Sequence, residues 1–255
     1  MKKRIAAVLL LSVALSLCAC TKTEPTPTNA PTEVQTTTEE PKKTLTAGDV
    51  VALFNEKFDL LSETCEFDAD KSVEYCYHDA ENYKLTVSVK FKYIDGKVNY
   101  SVTSENNHGP QYYWGNTLFW VENDKILDKK EISAEDYFLA YDTIEPGYIE
   151  SYDSVDESET ELGTEYLFKL PDTEGNMKIM LCNREMKILV DDSGKIVSYE
   201  YRQTYIEPSN YEEGKTYAFD EYDGVITTVK VNSTENVQID LSQYENELNS
   251  FVPTD

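Results

Sequence analysis

Between Lys84 and Tyr93 the chain alternates without a fault. Leu85, Val87, Val89, Phe91 and Tyr93 fall on one side, and Lys84, Thr86, Ser88, Lys90 and Lys92 on the other. A period of two with one dry and one wet face is the habit of an antiparallel strand. Asp95-Gly96 follows, a dipeptide suited to the tightest hairpin turn, and Val98, Tyr100 and Val102 resume the alternation. Tyr112 to Val121 reads as a second hairpin, turning at Gly115-Asn116. Further strands are expected at Thr164–Leu170, Met177–Cys182, Glu185–Val190 and Lys195–Ile206, the last entered through the turn Asp191–Gly194. Thr216–Tyr222, a turn at Asp223-Gly224 and Val225–Val231 complete about ten strands, with no βαβ alternation.

One stretch ahead of these strands has a different period. From Thr44 to Glu63, Val50, Leu53, Phe54, Phe58 and Leu61 recur at helical spacing and make one apolar face. Thr46 suits the N-cap, with Asp49 three residues on at the positive end of the dipole. Shorter helices are expected at Ser133–Tyr141 and Ser242–Ser250, and Ser151–Gly163 reads as an acidic loop. Together these predict one α+β domain over residues 44–255.

The N-terminus carries an address. Lys2, Lys3 and Arg4 precede an uncharged apolar run from Ile5 to Leu17, the layout of a secretory signal over residues 1–19. Leu17-Cys18-Ala19-Cys20 resembles the lipobox of bacterial lipoproteins. The resemblance implies that Cys20 becomes the first mature residue and carries a lipid that holds the chain to a membrane. Residues 20–43 are then a tether: Thr21 to Lys43 is rich in Thr, Pro and Glu with Val34 its one large apolar residue, too little to fold. Relaxed, such a segment spans roughly 25–30 Å.

Charge excludes one class of partner. The chain has 23 basic and 48 acidic residues, net −25, and losing Lys2, Lys3 and Arg4 with the signal leaves 20 against 48, or −28. Nucleic acid and anionic headgroups bind through Lys and Arg, so a surface this acidic repels both. The membrane link is therefore the lipid on Cys20. Of five cysteines, Cys65, Cys76 and Cys182 remain in the mature domain. The spacing of Cys65 and Cys76 permits a disulfide stapling a helix end to the next strand, and Cys182 reads as a buried thiol.

Catalytic and metal chemistry find little support. His78 and His108 are the only histidines, far apart and without ligand spacing around them. There is no Gly-rich phosphate loop and no Gly-x-Ser-x-Gly elbow. Asp153, Asp156, Glu157, Glu159 and Glu161 lack the spacing of a Ca²⁺ loop. No enzyme, metal or cofactor is expected. Two binding surfaces stand out instead. Val50, Leu53, Phe54, Phe58 and Leu61 could line a ligand cavity, and Tyr112, Tyr113, Trp114 and Trp120 could form an aromatic platform.

The order of these parts (lipobox, Thr-rich tether, amphipathic helix, antiparallel meander), with the segment Lys187-Ile188-Leu189-Val190-Asp191-Asp192-Ser193-Gly194-Lys195-Ile196, resembles the LolA/LppX-like lipoproteins of the Gram-positive type. That resemblance implies a strongly curved sheet, a half barrel, with the N-terminal helix on its concave face and a lipid held between. The carriers of that family lack a tether, which counts against a shuttling role. The expectation is a non-catalytic lipoprotein on the outer face of the cytoplasmic membrane that binds a lipid or other hydrophobic ligand. The alternative is an envelope protein- or glycan-interaction or sensor module that uses the aromatic hairpin.

Overall fold

The computed structural model describes residues 44–60, 62–104, 110–133, 149–175 and 178–250. Cys20, the signal and the tether, together with Leu61, His108 and all of the helix expected at Ser133–Tyr141 except Ser133, lie outside the described residues. A helix α1 (Ala47–Phe58) precedes six strands, β1 (Glu66–Cys76), β2 (Tyr83–Ile94), β3 (Lys97–Ser104), β4 (Gln111–Trp114), β5 (Thr117–Glu122) and β6 (Lys125–Glu131). Six more follow: β7 (Ser154–Thr160), β8 (Gly163–Leu170), β9 (Thr173–Glu174), β10 (Met180–Val190), β11 (Ile196–Ile206) and β12 (Gly224–Ser233). A 3₁₀ turn at Ser242–Tyr244 leads into a short helix α2 (Glu245–Ser250).

All twelve strands join one sheet in the order β6-β5-β4-β3-β2-β1-β12-β11-β10-β8-β7, with β9 beside β10. Every pairing is antiparallel, and the path stays open, with β6 and β7 at its ends. The count of about ten strands is thus corrected to twelve. The alternation from Lys84 to Tyr93 is where the period placed it, whereas Met177–Cys182 and Glu185–Val190, expected as two strands, join in the single β10. Leu85 to Tyr93 turn inward from β2, and β2 enters β3 through Asp95 and Gly96, both at positive φ (53° and 72°). The turn at Asp191 closes because its carboxylate accepts from the backbone N–H groups of Ser193 and Lys195, each at 2.9 Å.

Three expectations are overturned by packing at a distance. The acidic stretch Ser151–Gly163 is largely strand β7: Val155 packs against the core while Asp156, Glu157 and Glu159 stay in water. Charged side chains of this kind protect an open sheet edge from pairing with other chains. Its hairpin into β8 depends on Gly163 (φ 142°), where a Cβ would lie 2.0 Å from the Val190 carbonyl oxygen. Thr216–Tyr222 is not a strand, because β11 pairs directly with β12 through Thr204 and Gly224. The intervening residues fold over, burying Tyr217 with Cys182 and Ile206.

The third concerns the cysteines. Cys65 directly precedes β1 and Cys76 ends it, so the two stand at opposite ends of an eleven-residue strand. At about 3.3 Å per residue they stand roughly 35 Å apart, whereas a disulfide needs Cα atoms within about 7 Å. All three described cysteines are free and buried. Burial first, then the nearby acids Asp59 and Glu66, push the Cys65 thiol up to about 12. Burial likewise raises Cys182 to about 12. Neither is a nucleophile at neutral pH.

Candidate functional site

The inner face of the sheet is the one that meets α1. The helix begins as its sequence dictates. Thr46 Oγ1 accepts from Asp49 N at 3.2 Å while Asp49 Oδ2 accepts from Thr46 N at 2.9 Å, a closed capping box. Val50, Phe54 and Phe58 are fully buried and Leu53 partly so. Their rings meet the sheet at contact distance. Phe54 lies edge-on to Tyr199 of β11 with centroids 5.1 Å apart, and Phe58 is 5.2 Å from Tyr199 and 5.7 Å from Phe67 of β1. Phe67 then stacks on Phe91 at 5.3 Å. Four of the five expected ligand-lining residues therefore pack on the sheet, which leaves no ligand's width between helix and strands at these rings.

Hydrogen bonds fix α1 along its length. The Tyr166 hydroxyl donates to the Leu45 carbonyl at 2.7 Å and the Tyr93 hydroxyl to the Leu60 carbonyl at 3.1 Å. Asn55 exchanges two bonds with the backbone of Ile149, at 2.9 and 2.7 Å.

Polar side chains interrupt this apolar face in a connected strip that periodicity alone did not single out. Lys71 of β1 continues the inward series Phe67, Ala69, Val73 and is only 7 % exposed, with Val87 and Val229 as its cross-strand neighbours. One row on, Thr227 of β12 pairs with Tyr201 of β11, and beyond it Val225 pairs with Gln203. Thr227 and Gln203 are 2 % and 3 % exposed. The Tyr201 hydroxyl donates to the Gln203 side-chain carbonyl and accepts from Arg184 Nε at 3.1 Å. Arg184 Nη1 also donates to the Pro171 carbonyl at 2.9 Å and lines a hollow of about 330 Å³ with Ile149, Ser151, Leu170 and Thr173. Tyr199, by contrast, is buried beneath Phe54 and Phe58, and its hydroxyl has no hydrogen-bond partner among the described residues. Burial pushes its ionisation well above the ordinary tyrosine value, so it stays a neutral donor. The signal for the strip was present as Lys71, Gln203 and Arg184 at inward positions of otherwise apolar strands.

The aromatic hairpin divides between the two faces, as its alternation requires. Tyr113 and Leu118 enter the main core, and Trp120 packs against it. Tyr112 and Phe119 turn to the outer face, where Tyr244 covers them at 5.4 and 5.5 Å. Trp114, half-buried on that outer face, lines two adjoining hollows of about 470 and 320 Å³. Four expected platform residues are thus one hollow-lining indole, one covered ring and two core rings.

His78 joins the end of β1 to the start of β12. Its Nδ1 is 2.7 Å from Asp223 Oδ1 and its Nε2 2.8 Å from Asp79 Oδ2. No cluster of three or more His, Cys, Asp or Glu side chains disposed to hold a metal occurs among the described residues. Nor does any described helix have the length and apolarity to cross a membrane.

No protein-family model matches the chain, and no curated protein matches it. Solved structures that resemble it include the following two. A LolA superfamily protein from Nitrosomonas europaea aligns over 80 % of this chain and 100 % of its own, at 9 % identity and TM-score 0.30. A putative outer membrane lipoprotein-sorting protein domain from Vibrio parahaemolyticus aligns over 76 % and 98 %, at 9 % identity and TM-score 0.24. Likenesses of this size do not define what the chain binds.

Proposed function

We propose that the chain is a non-catalytic binding protein of the bacterial envelope, exported and anchored through a lipid on Cys20, that takes a lipid or other amphipathic ligand between α1 and the sheet. The supporting observation is the Tyr199 hydroxyl. Buried hydroxyls in native interiors nearly always have a partner, and leaving one unmade costs about 1–3 kcal/mol. Here the orphan lies at the centre of an aromatic interface, beside a face that also buries Lys71, Thr227 and Gln203. A ligand with an apolar body and a hydrogen-bonding group answers both features. On this reading Phe54 and Phe58 part from Tyr199 and Phe67 to admit the ligand.

The width of the sheet supports this reading. One continuous cluster joins α1 to inward residues from nine strands, β5 through β8 along the sheet path. Laid flat, nine strands would span roughly 40 Å, while a twelve-residue helix covers about 18 by 10 Å. A face that wide closes on one helix by curving around it, in the manner of a half barrel.

Native mass spectrometry of the full chain carrying Cys20→Ser, produced in a bacterial host, tests the reading. A stoichiometric adduct released by organic solvent, and diminished in Tyr199→Phe, is the expected result. A clean protein mass with a single cooperative thermal transition overturns it.

A further inference from the structure

The hollows around Trp114 lie on the face opposite α1, so they are independent of what the inner face holds. Their floor is β3–β6. Trp114 pairs with Asn99 on one side and Thr117 on the other, and Thr117 pairs with Glu131, which places all four on the outer face. Their wall is α2, held by two long-range bonds. Lys129 Nζ donates to the Leu248 carbonyl at 2.9 Å, and Glu247 accepts from Ile126 N at 2.8 Å. The turn below them is tight. Gly115 takes a positive φ of 62°, and the Lys97 stem passes within 3.7 Å of where its Cβ would be. The indole therefore stands between two depressions on a supported floor.

The rim chemistry narrows the ligand. In a chain of net charge −25, the larger hollow is locally balanced, with Lys97 and Lys129 against Glu131 and Glu245, and the smaller one adds Asp95 and Asp240 to the rim. Asn116 and Asn249 add amide groups that both donate and accept. Such a rim repels a polyanion, and its two lysines blunt any attraction for a polycation. It suits a neutral ligand whose groups each donate and accept, and the half-buried indole adds a flat apolar surface. Polyhydroxylated rings have both properties: hydroxyls around the edge and a C–H face that lies on an aromatic ring. We propose that this groove binds a neutral glycan of linked pyranose rings, one ring on Trp114 and its neighbours in the flanking hollows.

Trp114 and Trp120 are the only tryptophans, and they face opposite sides of the sheet, which supplies the test. In the full chain carrying Trp120→Phe, emission reports Trp114 alone. Titration with cellohexaose and hexa-N-acetylchitohexaose is expected to change that emission saturably, with hexamers binding at least about tenfold more tightly than the dimers. Asn249→Ala, at an exposed position, is expected to weaken binding about two- to tenfold, the range of one hydrogen bond. In Trp114→Phe, emission from Trp120 should not respond. Cosedimentation with insoluble cell-wall polysaccharide then separates a wall glycan from a free oligosaccharide as the source. No saturable response to either hexamer, a response confined to Trp120, or saturation by a peptide and neither sugar would each overturn the proposal. None of these outcomes bears on the inner-face ligand.

Discussion

The two faces of the hairpin β4–β5 come from one short stretch of sequence, yet they treat their polar groups in opposite ways. Inward, Tyr113, Leu118 and Trp120 join a dry core in which polar side chains are few and each matters. The Tyr113 hydroxyl, for example, reaches the Ile132 carbonyl at 2.9 Å. Outward, Tyr112 and Phe119 are covered by the C-terminal segment, but Trp114 remains at the edge of water among lysines, glutamates and asparagines. The dry face makes an orphan hydroxyl costly, so Tyr199 is informative there. The wet face makes single polar groups cheap, so only their convergence around an indole carries meaning.

That contrast can be broken most forcefully at Phe54. Phe54→Ala removes a ring in contact with both Phe58 and Tyr199, and urea unfolding is expected to show a loss of about 3–5 kcal/mol. A loss under about 1 kcal/mol would mean that α1 rests loosely on the sheet. Tyr199→Phe sharpens the comparison with the opposite sign. Without ligand, deleting an unpartnered buried hydroxyl should leave stability unchanged or raise it by about 1–3 kcal/mol. A clear destabilisation would show that the hydroxyl has a partner after all.

Smaller effects follow at the helix start and at the strand ends. Thr46→Ala opens the capping box and is expected to cost about 1 kcal/mol, read from the same urea transition. At the far end of β1, the Asp223 hydrogen bond, then Asp79, holds His78 above its ordinary value of 6.5, while His78 holds Asp223 below 3.8. A raised histidine contributes stability that is complete below pH 6.5 and lost as pH rises through its folded value. A depressed carboxylate contributes stability present above pH 3.8 and lost as pH falls through its lowered folded value. The pair therefore adds stability between about pH 4 and 6.5. Thermal melts at pH 5.5 and 8.5 should show a smaller difference in Asp223→Asn than in the parent. An identical difference would remove the pair from the account.

What the sequence disclosed was what neighbours along the chain decide. Thr46 with Asp49, the Asp95-Gly96 turn and the alternation from Leu85 to Tyr93 are local, and the structure has each in place. The rest depends on partners far away. The acidic residues of β7 become a strand only because β8 offers an edge. Thr216–Tyr222 fails to pair because Gly224 sits against Gln203, where a Cβ would lie 2.6 Å from the Gln203 carbonyl oxygen. Cys65 and Cys76 are close in number, but a whole strand lies between them. The inner-face residues of α1 were legible as buried, whereas the polar strip needed the register that sets Lys71, Thr227 and Tyr201 on one face.

The proposed function stands or falls on whether a ligand enters between α1 and the sheet. The most direct measurement is the native mass of the full Cys20→Ser chain purified from a bacterial host, before and after solvent extraction. A one-to-one apolar adduct that extraction removes and that Tyr199→Phe retains less well is the expected result. A protein mass without adduct, unchanged by extraction and accompanied by one cooperative melt, would contradict it and leave α1 as ordinary core.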